Sequence, residues 1–260
     1  MITSRRNETL KAIRRLRRRQ GDAALLEGPH LVEEALAAGL ELPTVLATPE
    51  FAERSASAEL LARLSSSPLV VEAALLEELA DADSPRGILA VARLPRESGA
   101  LVLTPGPGVV LLVDGVQEPG NLGAIARAAE AFGVRALALT HGCVHPNHPR
   151  ALRASAGSLL RLVAVREVTA EGLQSRLAPS RARWIGLAAH GGRPLPASFD
   201  RDAVVLCCGA EGTGLSAEVE CQLDERWTIP LDGRAESLNV AVAVGIALYA
   251  MRSASRRATP

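Results

Sequence analysis

The chain has 260 residues, 48% hydrophobic and 22% charged, a globular composition that excludes an intrinsically disordered protein and suits one large domain or two modest ones. Lys+Arg and Asp+Glu both total 29, so a net charge of zero announces no nucleic-acid partner, and any such partner must be read from where the charges sit. The four cysteines, Cys143, Cys207, Cys208 and Cys221, include no C-x-x-C pair, which argues against a disulfide framework and fits a reducing cytoplasm.

The opening segment MITSRRNETLKAIRRLRRRQ has no apolar signal core, so secretion is not expected. No apolar run reaches the ~20 residues of a membrane span. Residues 5–19 have helical spacing and carry eight basic side chains against one acid, Glu8. Like charges at that density repel unless phosphates neutralise them, which makes Arg14, Arg15, Arg17 and Arg18 candidate RNA contacts. Aromatic residues are 2% of the chain, so shape, phosphate and 2′-hydroxyl contacts are expected rather than base stacking. Ala23–Glu27 reads as a strand. Pro29 then opens a helix with Leu31, Val32, Ala35 and Leu36 on one face and Gly39 as its stop. Strand and helix signals continue through TVLATP, ERSASAELLARL, PLVVEAALLEELA and RGILAVARLP, predicting a compact α/β domain over residues 1–94. A Pro/Gly-rich stretch containing LTPGPG predicts a linker over residues 95–108.

From residue 109 to 260 the alternation is stronger. VVLLV (109–113), ALALT (136–140), LVAV (162–165), WIGLAA (184–189) and AVVLCCG (203–209) read as strands, and NLGAIARAAEAFG (121–133) as a helix. Uniformly apolar strands separated by helices predict a parallel sheet covered on both faces, so the fold class is α/β. The last helix, apolar on most sides from Leu238 to Met251, must be buried in the core or against another subunit.

Three loops fall at the carboxyl ends of strands, where a parallel sheet presents its functional edge: residues 113–133, 207–216 and 229–248. The glycines of the first, Gly115, Gly120 and Gly123, miss the dinucleotide spacing G-x-G-x-x-G, which disfavours a nicotinamide-dependent dehydrogenase. GAEGTGLS lacks the lysine of a P-loop. A glycine-rich turn can simply close a sheet. Three of them bearing Asn121, Arg127, Glu211, Ser237 and Asn239 point instead to one site. HGCVHPNHP brings His141, Cys143, His145 and His148 close in sequence. Pro146 and Pro149 stiffen that loop and its spacing matches no standard zinc site, so no metal is expected.

Together these loops resemble the three signature motifs of the SpoU family of RNA ribose methyltransferases, within the SPOUT class. The first matches as Asn121-x-Gly123 with Arg127 and Phe132-Gly133. The second matches as Gly209-x-Glu211-Gly212-x-Gly214-Leu215, and the third as Ile229-Pro230 with Ser237-Leu238-Asn239. Arg153, Ser155 and Gly157 fit the family's intervening R-x-S-x-G stretch, and Arg153 is a further candidate RNA contact. More loosely, residues 1–94, with EGPHLVEEAL at 27–36, resemble the small RNA-binding domain of members acting on ribosomal RNA.

The resemblance implies S-adenosylmethionine as cofactor, structured RNA as substrate and transfer to a ribose 2′-hydroxyl. It also implies a deep trefoil knot and a homodimer whose active site draws on both subunits. Cofactor contacts are then expected around Leu206, Gly209, Ala210, Glu211, Gly212, Ile229, Leu231, Ser237 and Leu238. Arg127 becomes the principal catalytic residue. An arginine is a poor base, so its expected role is a bidentate grip on an RNA phosphate. Asn121 suits a cap on the helix it begins, Ser237 a cap on the last helix, and Glu211 a hold on Asn121 or a backbone N–H. Asn239 is expected to face the ribose or the other subunit. The N-terminal domain favours ribosomal RNA as target. Transfer RNA, ribosomal RNA methylated as antibiotic self-resistance, and a catalytically silent RNA-binding protein stay open as alternatives.

Overall fold

The computed structural model describes residues 1–18, 21, 23–81, 86–94, 105–196 and 203–257, the side chains of 18 and 252–257 excepted. Residues 95–104 of the expected linker lie outside them. Contacts divide the chain into two units, one of Met1–Arg96 with His145–Arg161 and one of Glu97–Val144 with Leu162–Pro260.

The first unit begins with α1 (Glu8–Arg18). Three-residue spacing puts Leu10 and Ile13 on its inner side, where they pack with Leu25, Leu46, Leu76, Leu79 and Leu89. A four-stranded sheet follows from β1 (Ala23–Glu27), β2 (Glu41–Ala47), β3 (Leu69–Val70) and β4 (Ile88–Arg93), in the order β1-β4-β2-β3. Strand β4 runs antiparallel to β1 and β2, while β2 and β3 are parallel. Pro29 opens α2 (Pro29–Ala37) as the sequence predicts. ERSASAELLARL forms no continuous helix. Thr48 caps α3 (Pro49–Glu53), a 3-10 turn takes Ser55–Ser57, and α4 (Ala58–Ala62) follows. Serines compete with the helical backbone for its hydrogen bonds, which explains the break. Helix α5 (Ala73–Leu79) buries Leu75, Leu76 and Leu79.

The second unit is built on seven strands: β5 (Gly108–Asp114), β6 (Ala136–Leu139), β7 (Ala164–Val165), β8 (Arg183–Leu187), β9 (Arg193–Pro194), β10 (Ala203–Gly209) and β11 (Glu225–Thr228). Their order is β7-β6-β5-β10-β8-β11-β9, and every neighbouring pair is parallel. Helices α6 (Pro119–Ala131), α9 (Ala170–Leu177), α10 (Ala217–Glu220) and α11 (Val240–Arg257) accompany them. Alternation along the buried strands feeds two faces. Val110, Leu112, Val205 and Cys207 pack with Leu173, Leu177 and Trp184 in one cluster, from which their buried neighbours Leu111, Val113, Leu206 and Cys208 are absent. Helix α11 packs along α6, with an edge-on contact between Phe132 and Tyr249 at 6.2 Å. From β5 the chain steps to β6 and β7 on one side, while β10, β8, β11 and β9 fill the other. The order therefore reverses between β5 and β10, and loops leaving there open a crevice at the sheet's carboxyl edge.

Residues 145–161 lie by sequence inside the span 109–260 and by contact in the first unit. They form α7 (Pro149–Ala154) and α8 (Ser158–Arg161), with α7 against β1. The guanidinium of Arg153 bonds Glu27 and, at 3.1 Å, Asp81, while Arg161 pairs with Glu34. Fully buried Ser155 donates to the Leu152 carbonyl at 2.8 Å. Gly157 has φ +89°, and a Cβ there would lie 2.8 Å from Cβ and Cγ of Glu34. Only glycine satisfies both conditions, so the R-x-S-x-G stretch serves packing at each of its three positions.

Candidate active site

Strand β5 ends at Asp114, a buried carboxylate between two loops. Its Oδ1 accepts from the Thr140 hydroxyl at 2.8 Å and its Oδ2 from the Ser216 amide at 2.6 Å. The loops after β5, β6 and β10 are thereby tied at one point. Sequence reasoning missed Asp114. Its signal was a lone acid ending an otherwise apolar strand, a group that must be paired when buried.

The first loop feeds α6, where Glu118 takes the N-cap position and Pro119 the first helical position. Asn121 therefore does not cap this helix; it sits inside the first turn. Its Oδ1 accepts from Asn239 Nδ2 at 2.9 Å, and the same nitrogen donates to Glu211 Oε1 at 2.5 Å. Glu211 Oε1 also accepts from the Val240 amide at 3.3 Å. Asn239 Oδ1 accepts from the Ala241 amide at 3.0 Å and the Val242 amide at 3.3 Å. The cap of the last helix is therefore Asn239 rather than Ser237, which is exposed. One residue from each of the three loops meets in this network.

Between the second and third loops lies a cavity of about 450 Å³, walled by β8 and β10 residues and closed by the start of α11. Its lining includes Gly209, Ala210, Glu211, Gly212, Ile229, Leu231, Ser237 and Leu238 from the expected contacts. Leu206 is absent from it. That residue is fully buried mid-strand and paired with β5 and β8 on either side. Leu187, Ala188, His190, Trp227, Glu236 and Ala243 line the cavity without having been anticipated. Leu187 and Trp227 come from strands, Ala188 and His190 from the segment after β8, Glu236 from the loop just before Ser237, and Ala243 from the last helix, none of them a position of the three motifs. Gly209 permits the tight second loop, since a Cβ there would fall 2.2 Å from the Gly214 backbone. Burial holds the Cys208 thiol on the cavity wall well above its ordinary range, so it stays uncharged. The charged lining is Glu211 and Glu236, with no lysine or arginine.

Arg127 lies exposed on α6 and makes no hydrogen bond or ion pair among the described residues. It is not part of the cavity lining. In the first unit Arg14 and Arg17 are engaged, Arg14 with the Arg5 carbonyl at 2.8 Å and with Glu78, and Arg17 with Asp81 at 3.4 Å. Arg15 is exposed with no hydrogen bond or ion pair among the described residues. The Arg18 side chain lies outside the described residues. Arg153, expected to face RNA, has its guanidinium taken up by Glu27 and Asp81. In the histidine loop, His141 pairs with Glu167 at 2.7 Å and the Cys143 thiol donates to the Val113 carbonyl at 3.2 Å. Among the described residues no group of three His, Cys, Asp or Glu side chains could hold a metal ion. No described helix is long and apolar enough to cross a membrane.

Residues 108–249 match the SpoU rRNA Methylase family, more than half of the chain. The chain belongs to the SpoU family. Residues 7–90 match the MRM3-like substrate binding domain. An uncharacterised tRNA/rRNA methyltransferase of Synechocystis is 35% identical over 96% of this chain and 93% of its own length. The 23S rRNA (guanosine(2553)-2′-O)-methyltransferase of Bacillus subtilis is 32% identical over 96% of this chain and 98% of its own. Among solved structures, the SpoU methyltransferase AviRb of Streptomyces viridochromogenes, in complex with S-adenosylmethionine, superposes with a TM-score of 0.85. It is 26% identical over 98% of this chain and 99% of that one. As a SpoU member, the chain is an S-adenosylmethionine-dependent RNA 2′-O-ribose methyltransferase.

Proposed function

We propose that this enzyme methylates ribosomal RNA, with S-adenosylmethionine in the cavity between the second and third loops and the target nucleotide held by Arg127. The observation that carries the reading is the Asn121–Asn239–Glu211 network, which joins three separate loops beside that cavity. The lining fits the cofactor. Leu187, Trp227, Ile229 and Leu238 offer apolar surface for an adenine ring, and two carboxylates suit a cation. When bound, the cofactor supplies a methyl group activated on a sulfonium.

The residues of the chain then orient and exclude. An exposed, unpaired Arg127 grips an RNA phosphate through its planar fork, leaving a phosphate oxygen or a water to take the hydroxyl proton. Asn239 and Glu211 keep the loops at fixed spacing. The first unit delivers the RNA, with Arg15 the α1 arginine best placed for phosphate. Ribosomal RNA is favoured by the relative named for 23S rRNA and by the substrate-domain match. Cytoplasmic location follows from that substrate. The family's knot and homodimer belong to the same proposal. The exposed apolar stripe Val242, Ile246 and Tyr249 on α11 supports the dimer.

The test is to map 2′-O-methylated positions in RNA from cells with and without this gene. Loss of one ribosomal position is expected. Loss confined to transfer RNA would overturn the target, and no loss in either would overturn the activity. For the cavity, Ala188→Trp is expected to abolish cofactor binding with the thermal midpoint retained.

A further inference from the structure

We propose that Glu236 reads the charge of the cofactor, holding the sulfonium form more tightly than the neutral thioether left after transfer. The inference rests on the cavity being the cofactor site.

Two carboxylates line the cavity, and they are not equivalent. Glu211 Oε1 accepts N–H groups from Asn239 and Val240, so its charge is already engaged by the protein. Glu236 lines the same cavity, is exposed, and makes no hydrogen bond or ion pair among the described residues. It stands directly before Ser237, another lining residue, and three positions before Asn239, which fixes the end of this loop to Asn121 and Glu211. Its backbone is therefore anchored beside the cavity while its carboxylate keeps no counter-charge. The remaining titratable lining side chains are His190 and the Cys208 thiol, which burial keeps uncharged. Asp232 and Arg234, on the same loop, do not line the cavity.

Methyl transfer breaks the methyl carbon–sulfur bond and forms a carbon–oxygen bond. Sulfur keeps the electron pair of the broken bond and becomes neutral, while the hydroxyl proton leaves to solvent or phosphate. A free carboxylate on the wall attracts the reactant's sulfonium and has no such attraction for the product's sulfur. Glu236 thus favours loading and eases product release without taking part in the chemical step.

The test is calorimetric binding of S-adenosylmethionine, S-adenosylhomocysteine and sinefungin, which carries a protonated amine where the sulfonium stands. Glu236→Gln is expected to weaken the two cationic ligands about threefold to fivefold and the neutral one less than twofold, the range of an exposed charge pair. Raising salt is expected to narrow the wild-type preference and leave the variant's unchanged. Equal weakening of all three ligands, or none, overturns the role of Glu236 while leaving the cavity as cofactor site. If Ala188→Trp binds all three as wild type does, the cofactor sits elsewhere and both readings fall.

Discussion

Asn239 uses one amide nitrogen to hold Asn121 at 2.9 Å and Glu211 at 2.5 Å, and its amide oxygen to cap the last helix. The two halves of one side chain do separable jobs, one joining loops and one ending a helix. Asn239→Ala is expected to lose both, lowering stability by about 1 kcal/mol through the missing cap. Asn239→Asp keeps a cap oxygen but has no donor and sets a second carboxylate against Glu211. It should not recover methyl transfer, and its thermal midpoint, helped by the cap oxygen but lowered by the two facing carboxylates, should stay below wild type and rise as acid protonates the pair. Activity returning with aspartate would show that the cap, and not the loop junction, is what the site needs.

Arg127→Ala is expected to abolish methyl transfer with cofactor affinity nearly unchanged, because Arg127 lies outside the cavity lining. Arg127→Lys should rescue little, since lysine keeps the charge and loses the fork. Single-turnover methylation at saturating RNA separates chemistry from binding. A lysine variant within about tenfold of wild type, roughly 1.4 kcal/mol, contradicts the geometric role.

The exposed residues Val242, Ile246 and Tyr249 retain 49%, 37% and 62% of their surface and follow helical spacing along one side of α11. Covered by a second copy, this stripe would bury what the sequence said had to be buried. Ile246→Glu is expected to shift the protein from dimer to monomer in light scattering at micromolar concentration. A wild-type monomer with full activity would remove the second subunit from the site.

Arg153 holds two carboxylates, and they should respond differently. Arg153→Ala removes the Arg153 guanidinium from Glu27, which is 6% exposed and keeps the Asp81 amide as a donor, at a cost of about 1–3 kcal/mol once the partial exposure of Arg153 is allowed for. Asp81 answers to pH. Partial burial pulls its carboxyl up, but hydrogen bonding and charge from Arg153, with Arg17 and His148 adding to them, bring it below its ordinary 3.8. A depressed folded-state value means stability present above 3.8 and lost as pH falls through the folded value. The difference in unfolding free energy between wild type and Asp81→Asn should therefore be constant near neutrality and shrink below pH about 4. A difference that grows on acidification contradicts this linkage.

Cofactor binding is expected to survive removal of all metal ions, because backbone and carboxylate groups line the cavity. Calorimetry on chelator-treated protein checks this. Binding that disappears and returns with zinc would redirect attention to the histidine loop.

The large sheet was legible because its central strands are uninterrupted apolar runs, from Val109 to Val113 and from Ala203 to Cys208. Edge strands lack that signature. Arg193-Pro194 is exposed, and Glu225–Thr228 buries only Trp227, so neither shows in hydrophobic pattern. The motif residues were found, but roles that depend on where a chain bends were not. Ser237 and Asn239 are two positions apart, and only the register of α11 decides which one caps it. Leu206 and Cys208 share one face of β10, yet Leu206 is sealed mid-strand while Cys208, nearer the strand's carboxyl end, lines the cavity. The duty of Arg153 was invisible because Glu27 and Asp81 are distant in sequence.

Helices α7 and α8 constrain how this chain could exchange its substrate-binding unit. The unit matched as substrate-binding is completed by seventeen residues, His145–Arg161, encoded within the methyltransferase portion. A recombination that exchanged only the first ninety-odd codons would set Arg153, Gly157 and Arg161 against a surface lacking Glu27, Glu34 and Asp81. New substrate domains would then be acquired only together with a matching internal patch, and the two stretches should be inherited as one.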